Sequence, residues 1–204
     1  MFTKFQLAKK YLHYYLTASN GKGHGIHSPF VFDFVKNVLN DNTSYPAYQP
    51  IEQKRKALLN NSAVIDVEDF GAGSSVIKTN KRIVSAIAAS SLKPKKYAQL
   101  LYRMIQYYKP DTVVELGTSF GITTAYLASA NKASKVFTCE GSGAIASIAK
   151  QNFETLQLNN VQLTEGDFAK TLSPLLSDLK EINFAFVDGN HRKAPTLEYC
   201  NRLL

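Results

Sequence analysis

The chain has 204 residues, 45% of them hydrophobic, with 24 Lys and Arg against 16 Asp and Glu. That composition buries one good core and an appended subdomain, and no apolar run approaches the ~20 residues needed to span a bilayer. Two cysteines without a C-x-x-C pair exclude a disulfide framework and a cysteine zinc site, and Lys4, Lys9 and Lys10 come without a leader-type hydrophobic block, so the chain reads as cytoplasmic.

Phe2, Phe5, Ala8, Leu12, Tyr15 and Leu16 fall on one face of a predicted N-terminal helix, with Lys4, Lys9, Lys10 and His13 elsewhere. Gly21 to His27 is a glycine-rich loop, and His24 and His27, lacking a third ligand, read as structural or solvated. Ser28-Pro29 is a helix start, Ser as cap and Pro in the first turn, before a helix expected to bury Phe30, Phe34 and Val38. Pro46 and Pro50 break the chain before a basic helix over 51–60. Residues 64–75 present acids and a G-x-G turn, but helical periodicity follows over 81–88 and 97–108, with no second strand or acid. A short strand or hairpin near 62–75 is therefore expected, inside a helical extension spanning 1–93.

Charge divides the chain unevenly. Residues 1–110 carry 16 Lys and Arg against 6 acids, residues 111–204 carry 8 against 10, and 10 of the 23 Phe and Tyr lie in residues 1–48. A basic, aromatic N-terminal region suits a substrate cap, a homodimer surface or a nucleic-acid contact.

The most informative stretch is Val113-Val114-Glu115-Leu116-Gly117-Thr118-Ser119-Phe120-Gly121, a buried strand ending on an acid, then a glycine turn and a helix start. Such a turn lets backbone N–H groups and a helix N-terminus approach a ligand. The G-x-x-x-G spacing is looser than the G-x-G-x-x-G of a dinucleotide site, and Glu115 would repel a pyrophosphate while attracting the cationic methionine end of S-adenosylmethionine. The next strand, 135–140, ends on Glu140, 23 residues past Gly117, where a ribose diol would be gripped; NAD would use the same acid. Asp167 and Phe168 follow a third strand over 161–165, placed for an adenine amino group and face, although Gly-Asp is also a common turn. A fourth strand, 182–188, runs out into Asp188-Gly189-Asn190-His191. Helices are expected over 120–131, 142–157 and 194–204.

This order of motifs resembles the class I S-adenosylmethionine-dependent methyltransferases. ELGTSFG looks like the glycine-rich cofactor loop, TCEG the ribose-binding acid, GDF the adenine-side acid and FVDGNH the active-site strand end. ELGT followed by glycine and TT, with VDGNH, is most similar to the small-molecule O-methyltransferases. The resemblance implies a Rossmann-like parallel α/β sheet with helices on both faces over 94–204. It also implies a sheet that lacks its last strands here, either because the chain is a fragment of a longer protein or because a partner or the Val64 to Val67 segment completes the sheet. Cofactor contacts are expected at Glu115, Gly117, Thr118, Ser119, Gly121, Glu140, Gly141, Asp167, Phe168 and Asp188. Asp188 orients the acceptor or, with Asn190, holds a divalent ion, and His191 is the candidate general base. A small hydroxylated acceptor is the expected substrate. An RNA-modifying or RNA-binding protein, a nicotinamide-dependent oxidoreductase and a non-catalytic cofactor-binding remnant stay open at this point, as does self-association through the N-terminal region or a sheet edge.

Overall fold

The computed structural model describes residues 3–17, 28–68 and 80–204, and divides into two compact units, residues 1–43 and 44–204. The expectations for the Gly21–His27 loop, with His24 and His27, and for Gly71, Gly73 and Ser74 lie outside the described residues.

In the first unit, α1 (Lys4–Thr17) forms as expected, and its side chains from Phe5 to His13 are exposed. The second helix, α2 (Pro29–Phe34), opens on the predicted cap: Ser28 Oγ accepts the Val31 N–H at 3.4 Å, and Pro29 sits where its missing N–H costs nothing. It runs on through one wider π turn, Val35–Leu39. Val38 is buried but Phe30, expected inside, is exposed. A first-turn side chain points back past the helix start, and burial begins only at Val35.

The second unit begins with α3 (Tyr48–Leu59). Pro50 lies in its first turn rather than ahead of it, because no intrahelical partner is required of an N–H there. β1 (Val64–Asp66) pairs antiparallel with β2 (Lys81–Ile83), Val64 opposite Ile83 and Asp66 opposite Lys81. The helix expected from residue 81 therefore starts later, as α4 (Val84–Ser91), because residues 81–83 are held extended by the ladder. α5 (Lys95–Tyr108) follows and ends on Lys109 in the left-handed conformation.

β3 (Thr112–Leu116), β4 (Lys135–Glu140), β5 (Val161–Glu165) and β6 (Phe184–Val187) form one parallel sheet in the order β5-β4-β3-β6. Thr112 is level with Lys135, and Val113 with Phe184. The connecting helices are α6 (Ile122–Ala130), α7 (Gly143–Thr155), α8 (Phe168–Ser177) and α9 (Lys193–Leu203). The alternation of β3 sorts the core: Val113 packs with Ile105 of α5 and Leu127 of α6, whereas Val114 and Leu116 pack with Leu172 of α8 and Tyr199 of α9. Helices thus cover both faces. The periodicity reading missed α8, where Pro174 interrupts a sound apolar pattern of Phe168, Leu172 and Leu175.

Residues 44–93, expected in the N-terminal extension, share a core with the helices that cover the sheet. Tyr48, Ile51, Leu58, Val84 and Ala88 cluster with Phe120, Ile122 and Tyr126, so the division falls after Thr43 and not near residue 93. Ile51 alone, fully buried, contributes roughly 1.5–3 kcal/mol.

Candidate active site

A cavity of about 540 Å³ opens at the carboxyl ends of the four parallel strands, the position where open α/β sheets take ligands. Its walls come from the turns after β3 (Gly117, Ser119), β4 (Glu140, Gly141), β5 (Asp167, Phe168) and β6 (Asp188 to His191). The sequence-predicted acids at the ends of β4, β5 and β6 are therefore brought together.

Glu115 is not among them. With Val114 and Leu116 on the α8 side of the sheet, Glu115 falls on the α6 side, fully buried. Its Oε2 accepts hydrogen bonds from Thr124 Oγ1 at the start of α6 and from Thr138 Oγ1 of β4, the latter at 2.7 Å. Thr118 Oγ1 lies 2.6 Å from Thr138 Oγ1, and since the Thr138 proton is spent on Glu115, Thr118 is the donor. Glu115 Oε1 is buried without a partner, and burial pushes the carboxyl up to about 7 against the opposing pull of the two threonines. Glu115 and Thr118 thus lock the turn from behind and do not line the cavity.

The two turn glycines also differ. Gly117, at φ +103°, lies so close to the end of β6 that a Cβ would stand 2.6 Å from the Asp188 carbonyl oxygen. Gly121, at φ +78°, begins α6 where a Cβ would strike the Phe153 ring of α7 at 2.4 Å. The first shapes the cavity floor; the second seats α6 against α7 away from the cavity lining.

Glu140 faces the cavity with its carboxylate fixed from two sides. Ser119 N–H donates to Oε2 at 2.8 Å, and Ser142 N–H to Oε1 at 3.1 Å. Burial raises its pKa, and the backbone donors offset part of that rise. Ser119, held in the left-handed conformation at φ 48°, also contacts Ser91 Oγ at 2.9 Å, bringing the end of α4 to the rim. Asp167 caps α8 by accepting the Ala169 N–H at 3.0 Å, as the turn reading expects, and also lines the cavity. Phe168 packs edge-on to Tyr199 at 5.9 Å and against Gly189.

The turn after β6 is the most polar wall. Asn190 and His191 both adopt positive φ, 65° and 43°. Asn190 Nδ2 donates to Tyr199 Oη at 2.9 Å, and its Oδ1 accepts from Arg192 Nε at 2.8 Å. Asp188 Oδ1 pairs with Lys93 Nζ at 2.8 Å. A divalent ion held by Asp188 and Asn190 does not fit this donor set. The carboxylate faces an ammonium and the amide oxygen a guanidinium, and among the described residues no three His, Cys, Asp or Glu side chains gather as ligands.

Lys93 and Ser91 were missed by sequence reasoning as cavity residues. They lie in the segment read as an N-terminal extension, and only the close packing of α4 on α3 and α6 carries them to the strand ends. Lys93-Pro94 held one usable signal, since a residue before proline is kept extended and cannot join α5.

Strand order, the glycine turn and acids at successive strand ends define a class I methyltransferase fold. Consistent with this, residues 114–204 match a family model described as a methyltransferase domain. Among solved structures it is similar to the S-adenosylhomocysteine-bound methyltransferase PaMTH1 of Podospora anserina, at 14% identity and TM-score 0.58, covering 100% of this chain and 65% of that one. It is also similar to an O-methyltransferase from Bacillus cereus in complex with S-adenosylhomocysteine (21% identity, TM-score 0.56, 85% and 67% covered). TomG of Streptomyces achromogenes, an O-methyltransferase of tomaymycin synthesis in complex with S-adenosylmethionine, gives 16%, 0.54, 85% and 64%. At these identities the likeness is one of fold. The chain spans between 62% and 67% of the length of the first solved chains it matches. No curated protein sequence matches it.

Proposed function

We propose that this protein transfers a methyl group from S-adenosylmethionine to a hydroxyl oxygen of a small acceptor. The observation that carries the reading is Glu140, a carboxylate fixed by two backbone N–H groups on the wall of a cavity large enough for a nucleoside. A ribose diol can donate to the carboxylate lone pairs that remain. Asp167 and Phe168 would receive the adenine, and the Gly117–Ser119 turn the methionine end.

When bound, S-adenosylmethionine supplies an electrophilic methyl group on a sulfonium. The acceptor oxygen forms the new O–C bond as the C–S bond breaks, with its electron pair passing to sulfur, and the hydroxyl proton passes to the His191 imidazole on the cavity wall. Asp188 orients the acceptor side through its neighbours. Alignment and exclusion of water supply most of the rate. The relatives' own complexes with S-adenosylhomocysteine or S-adenosylmethionine support the choice of cofactor.

No helix among the described residues is long and apolar enough to cross a membrane. Two free thiols, Cys139 and Cys200, suit a reducing cytoplasm, and the exposed Phe5, Tyr11, Leu12 and Phe30 offer a surface for a homodimer.

The test is transfer of labelled methyl from S-adenosylmethionine to a panel of phenols, enols, alcohols and carboxylic acids. Labelled O-methyl product from any hydroxylated acceptor is expected. Saturable cofactor binding with no product from any acceptor would contradict the reading.

A further inference from the structure

We infer that Lys93 is a catalytic residue of this site: its ammonium, fixed by Asp188, binds the acceptor oxygen and favours its ionised form, so the acceptor is an acidic hydroxyl of the phenol or enol class. The inference rests on the proposed methyl transfer and specifies its acceptor side.

Among the described residues lining the cavity, Lys93 is the one Lys or Arg. The other charged or titratable groups there are Glu68, Glu140, Asp167, Asp188, His191 and Tyr199. Four carboxylates suit a sulfonium and repel an oxyanion, so an anionic acceptor has one place to put its charge. Lys93 Nζ stands 2.8 Å from Asp188 Oδ1 and 5.7 Å from the centre of the Phe186 ring, which leaves ammonium protons for a ligand.

The lysine is placed by structure, not by chance of a long side chain. Arg55 Nη1 donates to the Lys93 carbonyl at 2.8 Å; Arg55 Nε donates to Glu52 Oε1 at 2.9 Å; and Tyr126 Oη donates to that same oxygen at 2.8 Å. Arg55 is nearly buried, with its side chain 11% exposed. Pro94, the N-cap residue of α5, keeps Lys93 out of that helix, and Leu92 at the end of α4 is extended. A buried relay running from α6 through α3 thus holds the backbone of Lys93 beside the end of β6. The carboxylate that sequence reading offered to a divalent ion is given to an ammonium instead. That ammonium supplies the positive charge a metal would otherwise bring to the acceptor oxygen.

In the step, the acceptor O–H bond breaks and its proton passes to His191, while the oxyanion is held by Lys93. The oxygen pair then forms the O–CH₃ bond as the C–S bond pair leaves with sulfur. Lys93 keeps its protons throughout.

The experiment uses 4-nitrophenol, whose ionised form absorbs visible light, titrated with pH on the full chain saturated with S-adenosylhomocysteine. The neutral thioether leaves the sulfonium charge out of the measurement. In wild type, bound nitrophenol should ionise about one pH unit lower than in water. The shift should vanish in Lys93→Met and largely survive in Lys93→Arg, with S-adenosylhomocysteine affinity in both variants within about twofold of wild type. An unchanged or upward shift in wild type overturns the inference, as does a downward shift that persists in Lys93→Met, or nitrophenol that does not bind the cofactor-loaded protein. Failure of wild type to bind S-adenosylhomocysteine would instead overturn the methyl-transfer reading beneath it.

Discussion

Two turns at the same end of the sheet are built in opposite ways. The turn after β3 is closed: Glu115, Thr118, Thr124 and Thr138 share one buried set of hydrogen bonds, Gly117 touches the neighbouring strand end, and Gly121 touches a neighbouring helix. The turn after β6 is open. Its polar groups bond to side chains from elsewhere, Asp188 to Lys93 and Asn190 to Tyr199 and Arg192, and two of its residues sit at positive φ without being glycine. A closed turn presents backbone in one fixed shape, which suits a cofactor that is always the same molecule. An open turn presents side chains whose identity can set which acceptor is held.

The sharpest way to break this comparison is to put a side chain into the closed turn. Gly117→Ala places a Cβ against the Asp188 carbonyl at a φ that alanine disfavours, and should cost about 3 kcal/mol in urea unfolding. Wild-type stability in that variant would show that the turn is not closed.

The buried acid gives a second, pH-dependent test. Burial raises Glu115 from 4.5 to about 7, so the folded state binds more protons than the unfolded state between those values. Stability must then fall as pH rises from 4.5 toward 7 and stay lower above it, by roughly 3 kcal/mol in full. Glu115→Gln keeps the shape and the threonine contacts but removes the titration. Its unfolding free energy, compared with wild type from pH 5 to 8, should lose most of that downward slope; parallel profiles would contradict the assignment.

Smaller effects belong to Asp167, which serves both a helix cap and the cavity wall. Asp167→Ala should lose about 1 kcal/mol by thermal unfolding, and Asp167→Asn, which can still cap, less than half of that. Equal losses in the two would mean that the cap bond at Ala169 is not what the carboxylate contributes.

Much of this was legible in the chain. The four parallel strands follow from apolar runs ending on acids, and β4 and β5 begin and end at the predicted residues. Three of the four acids at those strand ends line one cavity. The exception, Glu115, was misplaced because an acid beside a glycine turn looks like a ligand group. Only the alternation of β3 against its helices shows that it points at Thr124. Lys93 was not legible because its role depends on a salt bridge across 95 residues and on an arginine relay from α3. Helix α8 was hidden by Pro174, a residue that usually ends helices.

The central claim is that Glu140 anchors the nucleoside of S-adenosylmethionine, and calorimetry tests it most directly. Wild type and Glu140→Ala would each be titrated with S-adenosylhomocysteine and with NAD. The account predicts saturable binding of S-adenosylhomocysteine by wild type, no binding of NAD, and about 100-fold weaker S-adenosylhomocysteine binding in the variant, the loss of two charge-assisted hydrogen bonds. Equal affinity in wild type and Glu140→Ala, or a preference for NAD, would contradict it.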